Sequence, residues 1–146
     1  MTDTTGAIGA VAISWQVGDE LPRRTLGPVT RLQLIKYAGA SGDFNPIHTI
    51  DGAAADAGLP GVIQHGMLTM AEMGRLFSPY LAGGYVERFE ARFSGMVFVD
   101  DVLTVGGTIT GVESRDDGTA YLCDVYANNQ KGQAVATGRV AFLAPP

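Results

Sequence analysis

The sequence predicts one α+β domain in which an antiparallel β-sheet wraps around a single long, buried helix. Helix patterns occupy the first half of the chain and twofold alternation of apolar residues fills the second half, which is the element order of that class. The helix that begins at Gly66 is apolar on almost every side, as buried helices are. Neither a linker nor a repeat interrupts residues 1–146, so we expect a single domain over that range.

The composition permits an independent hydrophobic core and excludes several classes of function. Of the 146 residues, 46% are hydrophobic and 17% are charged, and the formal net charge is −5. The scattered positive charges provide no patch for a nucleic-acid backbone. The start of the chain, Met1–Thr5, is acidic, and apolar runs stay short of the roughly 18–20 residues of a membrane span, which predicts a cytoplasmic protein. The single cysteine, Cys123, is expected to be a small core residue.

The first predicted helix starts at Thr30 and ends near Gly39–Gly42. Thr30 and Gln33 form a capping-box pattern, which is typical of a helix N-terminus. The following loop, Ser41–His48, contains an Asn-Pro pair. We expect it to lack regular structure, because a residue that precedes proline disfavours the helical region.

Two further helices are predicted before the strands. A short helix runs from Asp51, its expected N-cap, to the residue before Gly58. The long helix covers Gly66–Phe77, where only Glu72 and Arg75 are charged. We therefore expect these two side chains to form a narrow polar stripe on an otherwise buried helix.

The strands are identified by apolar residues that alternate with polar ones. Alternation begins at Phe89, Ala91 and Phe93 and recurs over residues 102–113, 119–128 and 133–143. Turn-type residues connect the last three segments, so these four strands are predicted to form an antiparallel meander. Two short strands around residues 12–17 and 23–27 complete the predicted sheet.

The side chains that carry chemistry gather on the loops that flank the long helix. Both histidines of the protein, His48 and His65, lie there with Asp43 and Asn45. Gly66 would let a ligand approach unpaired backbone N–H groups at the positive end of the helix dipole. Structural explanations also exist: an Asx turn for Asp43, a satisfied imidazole for His48, packing for His65 and a permitted turn for Gly66. The residues alone leave both explanations open.

Two segments of the sequence resemble a known family. Tyr37–His48 contains Ser-Gly-Asp-Phe-Asn-Pro-Ile-His, and His65–Leu68 reads His-Gly-Met-Leu. Both are similar to the MaoC-like and R-specific enoyl-thioester hydratase family, whose signature is Ser-Gly-Asp-x-Asn-Pro-x-His. The similarity continues through Arg92–Asp101 and extends from about Val17 to Phe142. The resemblance implies a hotdog fold, in which an antiparallel sheet wraps one long helix, and dimers in which two sheets join edge to edge.

The resemblance also implies an activity. It indicates a hydratase or dehydratase that interconverts (3R)-hydroxyacyl and trans-2-enoyl thioesters of coenzyme A or acyl carrier protein, without a metal or organic cofactor. It makes Asp43 and His48 the catalytic pair, which acts on a water. It groups Gly66, Asn45 and His65 with the substrate: the Gly66 N–H donates to the thioester carbonyl, and Asn45 shapes the loop.

One departure from the family and several alternatives accompany this interpretation. Several hydratases of the family carry a serine where this chain has Gly74. The run His65–Met70 is more similar to the subunits of actinobacterial acyl-carrier-protein dehydratases, in which a second, noncatalytic hotdog subunit accompanies the catalytic one. A hotdog acyl-thioesterase and a noncatalytic acyl-binding subunit are further alternatives. Asp43, His48 and His65 would also suit a metal-dependent enzyme with two histidine ligands and one carboxylate.

Overall fold

The computed structural model describes residues 11–146, so the acidic segment Met1–Thr5 and the rest of residues 1–10 lie outside the described residues. The strands are β1 (Glu20–Leu26), β2 (Tyr85–Phe93), β3 (Leu103–Arg115), β4 (Gly118–Asn128) and β5 (Ala134–Ala144). The helices are α1 (Arg31–Ser41), α2 (Asp51–Asp56) and α3 (Gly66–Gly74), with 3₁₀ turns at Pro46–His48 and Arg75–Tyr80. Within residues 11–146, the helices lack the combined length and apolarity that a bilayer span requires.

The strands form one antiparallel sheet in the order β1-β3-β4-β5-β2, which confirms the predicted α+β class. Strands β3, β4 and β5 are successive hairpin neighbours, as predicted. Strand β2, however, pairs with β5 at the far edge and not with β3. The predicted four-strand meander is therefore wrong at β2. An alternating pattern identifies a strand but does not specify which strand it pairs with. Residues 94–102 connect β2, at one edge of the sheet, to β3 near the other edge.

The strand predicted around residues 12–17 is wrong, because residues 11–16 have no strand pairing. Trp15 instead packs edge-on against four rings, with centroid distances of 4.6 Å to Tyr80, 5.2 Å to Tyr121, 5.6 Å to Phe142 and 6.4 Å to Phe77. The packing of this large aromatic side chain against the core outweighs the preference for a strand that the alternating pattern indicated. The other short strand, expected around residues 23–27, is part of β1.

The ends of α1 and α2 confirm some of the predicted helix caps and contradict one of them. Thr30 Oγ1 accepts a hydrogen bond from the Gln33 N–H (3.1 Å), which confirms the predicted cap of α1. Asp51 is the first residue of α2 and not its N-cap, so that prediction is wrong. Its carboxylate pairs with Arg31 at 2.8 Å and ties α2 to α1. Gly58 follows α2 in the left-handed region (φ +77°), as expected of a glycine that ends a helix.

Helix α3 and the 3₁₀ turn after it form the centre of the core. Residues of these two elements pack against residues of the sheet, and each is at most 3% exposed. The helical residues are Met73, Leu76 and Phe77, and the sheet residues are Val105, Ile109, Cys123, Val125 and Phe142. Cys123 is thus a core residue, as predicted. Burial raises the pKa of its thiol to about 12, because the thiolate would lose its hydration there.

The two charged side chains of the long helix do lie together, as predicted, but the rest of the helix is not buried throughout. Glu72 is only 8% exposed and pairs with Arg75 at 2.9 Å, whereas Met67 is 58% exposed. Glu72 lies one turn from Leu68 and one turn from Leu76, both of which are buried, so the helical period places its carboxylate on the core side despite its charge. The exposed side of α3 therefore begins with an apolar residue.

Candidate active site

The loop between α1 and α2 is built from short polar side chains that bond to the backbone two residues ahead. Ser41 Oγ accepts the Asp43 N–H (3.2 Å), and Asp43 Oδ1 accepts the Asn45 N–H (3.2 Å). Asn45 Oδ1 in turn accepts the Ile47 N–H (3.3 Å) and caps the 3₁₀ turn Pro46–His48. The expectation of an irregular loop missed this turn, which places His48 at its last residue. Asp43 does form the Asx turn that the sequence analysis considered as a purely structural explanation for this residue.

His48 is held in one orientation by a backbone carbonyl. Its side chain is 9% exposed, and its Nδ1 lies 2.7 Å from the Ile63 carbonyl oxygen. Because a carbonyl oxygen only accepts, we assign the proton to Nδ1. The Nε2 atom of the neutral ring is then an acceptor, and it faces the Asp43 carboxylate.

Asp43 and His48 face each other across a short gap. Asp43 Oδ2 lies 3.8 Å from His48 Nε2, while Oδ1 is occupied by the Asn45 N–H. A separation of 3.8 Å is too long for a direct hydrogen bond and short enough for one water to contact both atoms. The Asp43 side chain is 52% exposed, so this gap opens to the surface.

His65 lies behind the pair and contacts both of its members. Its Nε2 is 3.1 Å from the Asp43 backbone carbonyl, to which it donates, and its ring is stacked on His48 with centroids 3.8 Å apart. Tyr37 packs edge-on against the other side of the ring, at 4.9 Å between centroids. His65 is 1% exposed, and its Nδ1 is buried without a hydrogen-bond partner among the described residues. The contacts support the structural role considered for this histidine.

The three residues considered as metal ligands do come together. Asp43, His48 and His65 each offer one ligand atom, and these atoms lie within 4.8 Å of one another. The planes of the two imidazoles are, however, only 20° from parallel. A nitrogen lone pair lies in the plane of its ring, so the lone pairs of two stacked rings do not converge on one ion. The arrangement therefore does not suit an ion bound by both histidines.

The first turn of α3 begins directly beside these side chains. The His65 carbonyl accepts the N–H groups of Leu68 (3.1 Å) and Thr69 (3.3 Å), which are the first bonds of the helix. The N–H groups of Gly66 and Met67 precede them, at the positive end of the helix dipole. Gly66 thus has the position that the sequence prediction requires for a backbone donor.

Several contributors to the site were not identified from the sequence. Tyr37 opens the segment that matches the family signature, but the sequence indicated no role of its own for this residue. Ile63 contributes a backbone carbonyl, for which a sequence carries no signal. Gln64 and Thr69 form a buried side-chain hydrogen bond of 2.9 Å beneath the start of α3. Their polarity in an apolar stretch was the only available indication.

A groove of about 700 Å³ lies elsewhere, on the outer face of the sheet. It is lined by charged residues of β2, β4 and β5, among them Glu90, Arg92, Asp124 and Arg139, and it includes neither Asp43 nor His48. The candidate site is therefore the open loop surface at the start of α3 and not this groove.

Comparisons with known proteins relate this fold and site to one family. The family model described as MaoC like domain matches residues 13–129. The solved structure of the (R)-hydratase from A. caviae involved in PHA biosynthesis has the same fold, with a TM-score of 0.81 and 26% identity. The alignment covers 92% of this chain and 100% of that chain. This agreement confirms the hotdog architecture.

Curated relatives match over shorter stretches. The fatty acid synthase beta subunit pkiC of Emericella nidulans is 44% identical over 79 residues, which is 52% of this chain and 4% of that protein. The 3-hydroxyacyl-thioester dehydratase X of Mycobacterium tuberculosis is 49% identical over 43 residues, which is 30% of this chain and 15% of that protein. The aligned stretches thus span a small fraction of the length of these relatives.

Proposed function

The chain belongs to the MaoC-like hydratase and dehydratase family, and from that membership we propose that it interconverts (3R)-hydroxyacyl and trans-2-enoyl thioesters by adding or removing water. The thiol carrier is coenzyme A or acyl carrier protein, and Asp43 and His48 supply the acid–base chemistry without a metal or organic cofactor. The observation that carries the proposal is the 3.8 Å gap between Asp43 Oδ2 and His48 Nε2.

A water in this gap is polarised for attack. Asp43 Oδ2 and His48 Nε2 are both acceptors, so the water donates one hydrogen to each and directs its lone pairs away from them. During hydration the water oxygen bonds C3 of the enoyl group while one of the two groups takes a water proton. The same proton then passes to C2, so that H and OH add across the double bond and the pair is restored. Both groups lie on one loop, and both transfers therefore occur on one face of the substrate.

The start of α3 supplies the third requirement. Negative charge develops on the thioester oxygen when water adds to C3, and the Gly66 N–H donates to that oxygen at the positive end of the helix. A donor of this kind contributes about 3 kcal/mol at the transition state. Asn45 and His65 bind the backbone of the loop, so we propose that they hold Asp43 and His48 in place for the substrate.

We propose that the active form is a dimer, made either of two copies or of this chain and a related hotdog subunit. Strands β1 and β2 are the edges of the sheet, and each presents backbone N–H and C=O groups to a further strand. Four large apolar side chains expose about half of their surface or more: Phe44 (69%), Met67 (58%), Met96 (52%) and Phe93 (47%). Light scattering should give a mass above that of one chain, and a monomer at micromolar concentration would contradict the proposal.

The proposed function is tested with a panel of enoyl-coenzyme A esters. Loss of enoyl absorbance without release of free thiol indicates hydration, whereas thiol release indicates the thioesterase. A folded homodimer that binds crotonyl-coenzyme A without turnover indicates a missing second subunit or a noncatalytic acyl-binding role. A rate that falls with a chelator and returns with a metal ion would favour the metal-dependent alternative.

The buried, free thiol of Cys123 accords with a reducing compartment, and we propose a cytoplasmic location on that ground.

A further inference from the structure

We propose that Gln64 and Thr69 are positioning residues for the reaction: the hydrogen bond between their side chains holds the peptide that carries the Gly66 N–H donor. Gln64 Nε2 donates to Thr69 Oγ1 at 2.9 Å, and the two residues are 5% and 3% exposed. Both act through the backbone between them, and neither contacts the substrate. This inference rests on the proposed function, because it concerns the donor that the function requires.

The direction of the Gly66 N–H follows from the bonds of the peptide unit to which it belongs. This unit also contains the His65 carbonyl, and in a planar trans peptide the C=O and the N–H point in opposite directions. The His65 carbonyl accepts the N–H groups of Leu68 at 3.1 Å and Thr69 at 3.3 Å, so it points into the helix. The Gly66 N–H therefore points out of the N-terminus of α3.

A contact between two side chains fixes the angle at which the chain enters α3. The N-cap residue His65 makes no capping bond, and its ring donates to the Asp43 carbonyl instead. Gln64 precedes the N-cap and Thr69 is the fourth residue of the helix, which are the two positions that meet in a hydrophobic staple. In this protein the contact is a hydrogen bond. Because a hydrogen bond is directional, it restrains the entry angle more closely than apolar packing does.

Thr69 holds the donor peptide at two points. Its N–H donates to the His65 carbonyl, and its Oγ1 accepts from Gln64, the residue before His65. Gln64 is also bonded through its backbone N–H, which donates to the Val97 carbonyl at 2.8 Å. Because both side chains are buried, breaking their bond would leave polar groups without partners, and this cost keeps the bond formed. The peptide that carries the donor thus lies between two fixed residues.

The residues on either side of Gln64 support the proposed catalytic pair. The Ile63 carbonyl accepts from one member of the pair, and the His65 ring donates to the backbone of the other. A substitution of Gln64 therefore affects the support of the pair as well as that of the donor. Thr69 lies inside the helix, so its substitution gives the cleaner test.

Substitution of Thr69 tests the positioning role. Thr69→Val keeps the shape of the side chain and loses the acceptor, whereas Thr69→Ser keeps the hydroxyl. Thr69→Val is expected to lower kcat for crotonyl-coenzyme A about tenfold with KM within about twofold, because the donor acts on charge that develops in the transition state. Thr69→Ser should stay close to the wild-type kcat. Unchanged kcat in Thr69→Val, or equal losses in both variants, would overturn the proposal.

A control variant separates positioning from a general loss of stability. Thr69→Val leaves the buried Gln64 amide without its acceptor, which also lowers the unfolding midpoint. Ile109→Val shortens a core side chain of β3 that is 1% exposed, and it should lower the midpoint by roughly a few degrees. Its kcat should equal that of the wild type. A fall in kcat as large as that of Thr69→Val would show that activity follows stability, against the proposal.

The Gln64→Met, Thr69→Val double variant tests whether the two residues act through one bond. The bond is already absent in each single variant, so the loss in kcat of the double variant should be close to the larger of the two single losses. Apolar groups at both positions should restore part of the unfolding midpoint, since no buried amide or hydroxyl is then left unpaired. Single losses that multiply, or a kcat that recovers with the midpoint, would overturn the proposal.

A binding measurement keeps this inference distinguishable from the proposed function. Crotonyl-coenzyme A is titrated into the isotope-labelled Asp43→Asn variant, alone and with Thr69→Val or Thr69→Ser. The Gly66 amide signal in the NMR spectrum, assigned with Gly66→Ala, reports the donor. A downfield shift of the Gly66 proton that Thr69→Val reduces and Thr69→Ser retains supports the positioning role even if the wild-type protein does not hydrate the ester.

The other outcomes separate the two ideas. Hydration by the wild type with unchanged kcat in Thr69→Val overturns the positioning role and leaves the proposed function intact. A Gly66 shift that Thr69→Val leaves unchanged also overturns the positioning role. Absence of both hydration and a Gly66 shift overturns both.

Discussion

The imidazole ring of His65 is stacked on that of His48, with centroids 3.8 Å apart and planes inclined by 20°. His65 also donates its Nε2–H to the Asp43 carbonyl, so one buried ring contacts both members of the proposed catalytic pair. The stack fixes the plane of His48, and the Ile63 carbonyl fixes its rotation within that plane. The direction of His48 Nε2 toward Asp43 is therefore set before any substrate binds.

The first prediction concerns the pair itself. Asp43→Asn and His48→Gln are each expected to lower kcat for hydration of crotonyl-coenzyme A by about 100-fold or more, which is the range of general acid–base groups. Asparagine keeps the size of Asp43 and the acceptor for the Asn45 N–H but loses the charge. The measurement is the rate of loss of enoyl absorbance, with the unfolding midpoint as the control. A folded variant with near wild-type turnover would remove that residue from the mechanism.

The second prediction separates the two contacts of His65. His65→Gln keeps an N–H donor for the Asp43 carbonyl and loses the stacked ring, whereas His65→Phe keeps a ring and loses the donor. Because His65 acts through the loop, each variant should lower kcat less than His48→Gln does. A larger loss at His65 than at His48 would show that the roles of the two histidines are reversed.

The third prediction concerns Gly66→Ala. The added methyl group would meet the Phe93 ring at 3.4–3.5 Å, which is van der Waals contact, and alanine is a better helix former than glycine. The free energy of unfolding should therefore stay within about 1 kcal/mol of the wild type. The catalytic efficiency should fall by about 100-fold, through obstruction of the thioester and displacement of the N–H donor. Both quantities are measured on one preparation, and unchanged efficiency would exclude Gly66 from the site.

The fourth prediction uses the raised pKa of Cys123. Burial, followed by the nearby charge of Asp124, raises the pKa of the thiol from 9.0 to about 12. Between these values the unfolded chain releases the proton and the folded chain retains it, so the unfolded state binds fewer protons and stability falls as pH rises. Urea unfolding at several pH values from 9 to 11 should show this fall, and Cys123→Ala should show less of it. Identical pH dependence in the two proteins would contradict a buried, protonated thiol.

The candidate site was predictable from the sequence where function depends on local chain geometry. The loop that carries Asp43, Asn45 and His48 is built from bonds between residues two apart, and such bonds follow from residue type and spacing. The N-terminus of α3 at Gly66 was likewise readable from the apolar period that begins there. Predictions failed where a residue's surroundings come from distant segments. Glu72 is buried although it is charged, and Ile13 and Trp15 pack against the core where a strand had been expected.

The α+β class, the bounds of most helices and strands, and the loop that bears the proposed catalytic pair all follow from patterns along the chain. Each of these depends on interactions within one segment, where the separation of two residues in the sequence determines whether they are neighbours in space. Three other relationships depend on contacts between distant segments: β2 lies beside β5, His65 stacks on His48, and the Phe93 ring lies close to Gly66. These pairs are formed by packing between segments, and the pattern along a segment does not specify which other segment it meets.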